Sequence, residues 1–196
     1  MNPIESRATS AAPAAGRLVP RVLGTLVGAA LVALAAQVAI PLSFTRVPLT
    51  LQPLAVLVVG GLLGPAGGVS ALVLYLAAGA AGLPIFAGGT GGALHLIGPT
   101  GGYLLAYPVA AGVTGWLCGR AGGQADRRAV EWTLLACAAG MLIIHIGGWA
   151  QLSLLSGDPV RALRLGFLPF FANDLVKVGL AALLILALAP RLRAIR

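Results

Sequence analysis

A series of six apolar segments constrains this chain more than any other feature of its sequence. The segments are residues 22–42, 51–64, 67–83, 101–119, 130–152 and 166–189. A helix that crosses a lipid bilayer needs about 20 mostly apolar residues, and fewer where protein covers its ends. Charged residues form only 9% of the chain, which is too little to cover a water-soluble surface. The sequence therefore predicts an all-α, multi-pass protein of the cell membrane with six transmembrane helices.

The turn Gly64-Pro65-Ala66-Gly67 is the only break between the second and third segments, so we expect these two to form a helical hairpin. Nine of the 13 basic residues lie before the first segment, between the fourth and fifth, or after the sixth. The other connections hold only Arg46, Arg161 and Arg164. Because basic connections stay on the cytoplasmic side, both termini are predicted to be cytoplasmic. This distribution also explains the net charge of +8 without a nucleic-acid partner.

The predicted layout has three parts. Residues 1–20 are expected to form a disordered cytoplasmic tail because they are rich in Ala, Pro and Ser with no apolar period. Residues 21–190 form the transmembrane domain, and residues 191–196 form a basic cytoplasmic tail. A cleaved signal peptide is the alternative for the first part, and the full-length first segment with five more behind it disfavours that alternative.

The sixth segment carries two ionisable residues, Asp174 and Lys177, with Asn173 beside them. Positions three apart lie on one face of a helix, so the two charged side chains are expected to meet. Inserting a charge near the bilayer centre costs about 3 kcal/mol of free energy. A charge is therefore seldom found there unless it has a partner or a function. We predict that Asp174 and Lys177 bind a ligand, with Asn173 as a polar neighbour. The alternative is an ion pair that only joins this helix to the bundle.

A glycine-rich region between the third and fourth segments contains Thr-Gly-Gly twice, at residues 90–92 and 100–102. Glycine allows the main chain to approach a ligand closely, so Gly88, Gly89 and Thr90 are candidate ligand contacts, with Tyr103 beside them. Residues 84–103 contain no Lys or Arg, so a neutral polar ligand fits better than a phosphate. His95 is expected to be a core residue.

The connection between the first two segments alternates apolar residues with hydroxyls and contains two prolines. We expect it to act as a gate over the pocket. The gating residues are Phe44, Arg46, Val47 and Pro48, and Gln52 at the head of the second segment is expected to contact the ligand. The alternative is a simple connector.

Several catalytic patterns are missing from the sequence. Lys177 is the only lysine and follows Val176, so the chain has no G-x-x-x-x-G-K-[ST] loop for ATP. His95 and His145 have no carboxylate near them in the sequence, so no zinc site is predicted. No serine stands in a G-x-S-x-G turn. We therefore expect a protein that is not an enzyme and has no cofactor.

Assembled in order, these motifs make the chain resemble the BioY family, the biotin-specific substrate-binding (S) subunits of energy-coupling factor (ECF) transporters. The resemblance runs from about residue 21 to 190 and rests on five motifs. They are Val47-Pro48-Leu49-Thr50-Leu51-Gln52, Gly60-Gly61-Leu62-Leu63-Gly64-Pro65, Gly82-Leu83-Pro84-Ile85-Phe86-Ala87-Gly88-Gly89, Gly98-Pro99-Thr100-Gly101-Gly102-Tyr103, and the pair Asp174 and Lys177. One departure is Arg46, which stands where the family commonly has a proline.

The resemblance implies a biotin pocket near the outer face, a transmembrane coupling (T) subunit and two ATP-binding-cassette ATPases as partners. It also implies that Ala29 and Ala33 on the first helix contact the coupling subunit. The ureido ring of biotin would meet Asp174 and Lys177, and Phe170, Phe171 and Tyr103 would surround its thiophane ring. What binds the valerate carboxylate stays open between Arg46 and main-chain N–H groups.

Three other functions remain as alternatives: an S subunit for a different vitamin, a stand-alone carrier, and a small glycine-rich membrane acyltransferase. The lack of cations in residues 84–103 disfavours the acyltransferase, which would need to hold a phosphate there.

Overall fold

The computed structural model describes residues 15–120 and 127–194 of the chain. Its elements are α1 (Ala15–Gln37), β1 (Ala39–Leu42), β2 (Thr45–Thr50), α2 (Gln52–Ala80), α3 (Leu94–Ile97), α4 (Gly101–Arg120), α5 (Arg127–Ser156), α6 (Pro159–Gly166) and α7 (Leu168–Ala194). Four helices, α1, α2, α5 and α7, are long and apolar enough to cross a membrane. Most of the predicted N-terminal tail, residues 1–14, lies outside the described ranges.

Helix α2 is a helical hairpin, as predicted. Gly64 has φ 75° and ψ −179°, which breaks the helix into arms of residues 52–63 and 65–80. A Cβ on Gly68 would lie 3.0 Å from the Cα of Gly60. Eight residues along a straight helix would separate these positions by about 12 Å. The second arm therefore folds back and packs against the first.

The predicted ends of the first and last segments were wrong. Helix α1 begins at Ala15, within the predicted tail, because Leu18 and Val19 extend its apolar sequence toward the N-terminus. It ends at Gln37, because Pro41 cannot donate a helical hydrogen bond and residues 39–42 pair with β2 instead. Helix α7 continues through Pro190 to Ala194, so the predicted C-terminal tail is partly helical. A proline removes only one backbone hydrogen bond, which costs least near a helix end.

The antiparallel hairpin β1–β2 and the two short helices α3 and α6 were not predicted. The alternation of apolar and hydroxyl residues in 40–50 is the period of a strand, so the hairpin had a signal in the sequence. Helix α6 also had a signal in the sequence, because an aspartate followed by a proline, here Asp158 and Pro159, is typical of the start of a helix. The Asp158 carboxylate accepts hydrogen bonds from the N–H groups of Val160 and Arg161 at 2.9 and 3.0 Å.

Helix α4 lies between α2 and α5, and small residues bring these helices together. A side chain on Gly60 would collide with the backbone of Ala111. A side chain on Gly102 would likewise collide with the backbone of Gly147. In lipid, packing and dispersion hold helices together, so such close contacts stabilise the bundle.

Candidate functional site

One cavity of about 370 Å³ opens among the β hairpin, the segment before α4, and helices α4, α5 and α7. Its size lies within the range of about 300–1,000 Å³ that is typical of small-molecule sites. The lining residues include Arg46, Val47, Pro48, Thr50, Gln52, Phe86, Thr90, His95, Tyr103, Tyr107, Ile144, His145, Phe170, Asp174 and Lys177. The cavity therefore combines aromatic walls with a few charged groups.

The predicted pair on α7 lies at this cavity. Lys177 Nζ donates a hydrogen bond of 2.7 Å to Asp174 Oδ1, and the two residues are only 4% and 5% exposed. Leu175 and Val176, which lie between them in the sequence, point outward and are exposed. The helical period thus separates a charged inner face from an apolar outer face. The predicted contact between Asp174 and Lys177 has formed.

His145 on α5 joins this pair at the cavity and was not predicted from the sequence. Its Nε2 atom lies 2.8 Å from Asp174 Oδ2, and its side chain is buried. The ring N–H is not aligned along that contact, so the interaction is a close electrostatic contact rather than a well-formed hydrogen bond. The sequence places no carboxylate near His145, and Asp174 reaches it from another helix. Both oxygens of Asp174 thus have a partner.

Aromatic rings form much of the remaining wall. Phe86, Tyr107 and Phe170 line the cavity and are buried. Phe171, which was predicted to contact the ligand, is 51% exposed and does not line the cavity. Asn173 is also exposed and lies outside the lining. Successive helical residues point about 100° apart, so the rotation of α7 that buries Phe170 and Asp174 turns their neighbours outward.

Gly88 and Gly89 shape a turn and do not line the cavity. They have φ angles of 70° and 71°, which favour glycine, and they lie between the bridged residues Phe86 and Thr90. Gly89 N–H donates to Phe86 O at 3.1 Å, so this donor already has a partner. Of the three predicted contacts in this segment, only Thr90 reaches the cavity. The turn places the buried ring of Phe86 in the wall.

Tyr103 lines the cavity as predicted, and its position depends on glycine. Its Oη atom donates a 2.6 Å hydrogen bond to Gly166 O, and its ring fills the place where Gly148 has no side chain. The second Thr-Gly-Gly sequence starts α4, and its glycines serve mainly to bring α4 against α5. Gln151 Nε2 donates to Leu96 O and Gly98 O, which holds the preceding segment in place.

The β hairpin covers one side of the cavity. Of the four residues predicted to form a gate, Arg46, Val47 and Pro48 line the cavity, whereas Phe44 is exposed and does not. Gln52 also lines it, and its Nε2 atom donates to Tyr75 Oη at 2.7 Å. Tyr75 Oη in turn donates to Ile85 O at 3.1 Å. Gln52 therefore connects the base of the hairpin to the segment that carries Phe86.

Three further residues named in the sequence predictions lie on α1 and α3. Ala29 and Ala33 on α1 are half-buried and pack against the core of this same chain. His95, expected in the core, is half-buried and lines the cavity near the ring of Phe86, with ring centroids 5.9 Å apart. His95 Nδ1 has no hydrogen-bond partner within residues 15–120 and 127–194.

Chemically, the cavity offers a carboxylate that accepts, an ammonium that donates and rings that pack on an apolar body. Such a site suits a small ligand with one neutral polar end that carries both donors and acceptors. The buried charges form a compensated group, so they can stay ionised away from water.

Residues 8–194 match the BioY family. The biotin transporter BioY of Thermotoga maritima is 38% identical over 159 residues, which are 81% of this chain and 89% of that protein. The probable biotin transporter BioY of Pyrococcus horikoshii is 37% identical over 155 residues, 79% of this chain and 87% of that protein. A crystal structure of the S-component for biotin from an ECF-type ABC transporter superposes with a TM-score of 0.81. It is 27% identical and covers 90% of this chain and 94% of that one.

Proposed function

This chain belongs to the BioY family, and on that premise we propose that it is the membrane-embedded biotin-binding subunit of an ECF-type ABC importer. It delivers biotin across the cell membrane with energy from separate ATPase subunits. The observation that carries the proposal is the buried pair of Asp174 and Lys177 in the wall of a ligand-sized cavity. The relatives are transporters, which does not favour the acyltransferase alternative.

The ureido ring of biotin has two N–H donors and one carbonyl acceptor. In our proposal the Asp174 carboxylate accepts from a ureido N–H while the Lys177 ammonium donates to the ureido carbonyl. Each carboxylate oxygen has more than one lone pair, so Asp174 can accept from the ligand while it keeps Lys177 and His145. The rings of Phe86, Tyr103 and Phe170 then pack against the fused thiophane ring.

We further propose six transmembrane helices with both termini in the cytoplasm. The two arms of α2 and helix α4 supply the spans beyond α1, α5 and α7. The excess of basic residues at the ends of the chain and between α4 and α5 supports the orientation. This orientation places the cavity and the β hairpin toward the outside, where the hairpin is positioned to gate entry of biotin.

The partners in the proposal are a transmembrane coupling subunit and a pair of ABC ATPases, because the sequence has no ATP-binding loop of its own. Helix α1 has the most surface to offer them. Only 11% of its most apolar stretch is buried, against 44% in α2 and α5. Ala29 and Ala33 are half-buried on this helix, which leaves part of their surface for a coupling subunit.

The partner surface can be tested with Ala33→Phe. The larger side chain should keep a co-expressed coupling subunit away from α1 and abolish its co-purification. Leu135→Phe is the matched control, because Leu135 is an exposed apolar residue on α5. Biotin binding by the isolated protein should survive both changes. Intact assembly with Ala33→Phe would remove Ala33 from the proposed surface.

The biotin assignment is tested by titration calorimetry on the chain purified alone in mild detergent. The cavity is formed by this chain, so we expect stoichiometric biotin binding without any partner. Heat with another vitamin and none with biotin would instead identify an S subunit of different specificity.

A further inference from the structure

Arg46 is a cation that lines the cavity and has no counter-charge among the described residues. It lies in β2 and lines the cavity, and its residue is exposed overall, which places it at the opening. The ion pairs among the described residues join other groups, and none includes Arg46. A guanidinium is always charged and presents N–H groups in a planar arrangement that matches a carboxylate.

Asp174 and Lys177, the other charged groups of the cavity wall, are already engaged with each other. Lys177 donates to Asp174 at 2.7 Å, and His145 lies 2.8 Å from the same carboxylate. Asp174 is the only carboxylate among the described lining residues. Arg46 therefore leaves the cavity with a surplus positive charge on the side of the β hairpin.

The backbone around Arg46 is held in place, and within residues 15–120 and 127–194 its side chain forms no ion pair. Val47, the next residue, is buried in the core. At the end of the same strand, Thr50 Oγ1 accepts from Gln52 N–H at 3.3 Å, which fixes the strand to the start of α2. A carboxylate bound to Arg46 would thus bind to a fixed point of the wall, at little cost in backbone ordering.

We propose that Arg46 binds the carboxylate of the ligand and makes the site selective for a carboxylic acid over its neutral amide. The inference rests on the proposed function, since biotin carries a neutral ureido ring at one end and a carboxylate at the other. The ring binds at the cluster of Asp174, Lys177 and His145, and the chain of the ligand extends toward Arg46. A side-chain carboxylate and a guanidinium form two parallel hydrogen bonds.

The test compares biotin with biotinamide, which has the same shape and no charge, on the parent protein and on Arg46→Gln. The parent should bind biotin about 5- to 15-fold more tightly than biotinamide. This ratio of affinities lies between the effect of an exposed ion pair and that of a hydrogen bond to a charged group. Arg46→Gln should bring biotin down to the affinity of biotinamide and leave biotinamide unchanged. Unchanged biotinamide binding also shows that the variant is folded.

Arg161→Gln is the control, because Arg161 is exposed on α6 and does not line the cavity. It removes the same charge and should keep the parental preference for biotin. Equal affinities for the two ligands in the parent, or an undiminished preference in Arg46→Gln, would overturn the role of Arg46 alone. A parent that binds neither ligand would overturn the proposed function, and this inference with it.

Discussion

The cavity end and the apolar end of the helix bundle bury polar groups in different ways. At the cavity end, Asp174, Lys177 and His145 compensate one another through side chains from two helices. The apolar end is the cluster of Leu57, Val58, Cys118, Ala136, Cys137, Met141, Ala181, Ala182 and Ile185. Beside it, the buried hydroxyls of Thr114 and Thr133 donate to backbone carbonyls at 3.4 and 2.7 Å.

The same helices build both ends, so the difference is one of position along them. In α7 eight residues, or about 12 Å, separate Lys177 from Ile185, and in α5 the same interval separates His145 from Cys137. The apolar end shows that these helices pack without buried ions. Because apolar replacements of a buried ion pair are often neutral or stabilising, packing does not account for the charges at the cavity end. The ligand binding that we propose would account for them.

The largest expected effect is on biotin binding after Asp174→Asn. This change keeps the shape and removes the charged acceptor, so affinity should fall about 10- to 150-fold, the effect of a hydrogen bond to a charged group. Calorimetry measures the affinity, and thermal unfolding shows whether the fold survives.

The double variant Asp174→Asn with Lys177→Met separates a ligand-binding pair from a structural one. It removes both charges, so its thermal stability should exceed that of Lys177→Met alone, which leaves a carboxylate without its cation. Its affinity for biotin should stay low. Parental affinity in the double variant would contradict the assignment of this pair to ligand binding.

The apolar end should respond in the opposite way. Ile185→Ala removes a buried side chain that packs on Gly61, so the free energy of unfolding should fall by about 2 kcal/mol. The biotin affinity of the folded protein should not change, since Ile185 lies outside the cavity lining. Melting temperature and calorimetry together check both statements, and a large loss of affinity would erase the contrast between the two ends.

The smallest effect concerns His145. His145→Leu leaves one oxygen of Asp174 without its partner, so biotin affinity should fall about 5-fold, or about 1 kcal/mol. Cys137→Ala, two turns away on α5 and fully buried, is the matched control and should leave affinity unchanged. If both variants bind biotin equally well, His145 is a packing residue and only Asp174 and Lys177 act on the ligand.

Much of the site could be predicted because it depends on short-range geometry. Asp174 and Lys177 meet because residues three apart share a helix face, whatever surrounds them. The hairpin in α2 follows from Gly64 and Pro65, which a straight helix accommodates poorly. The membrane class follows from apolar segments too long and too poor in charge for a soluble core. These properties are local, so the sequence by itself determined them.

Tertiary structure decided which groups join the pair at the cavity. The rotation of α7 against α5 placed Phe170 in the wall, turned Phe171 outward and brought His145 to Asp174. The turn at Gly88 and Gly89 served to position Phe86, and β pairing placed Arg46 at the cavity. The helical period indicates which residues share a face of a helix. It does not indicate which face the neighbouring helices will cover. That choice depends on close packing between distant small residues such as Gly102 and Gly147, and only the assembled bundle settles it.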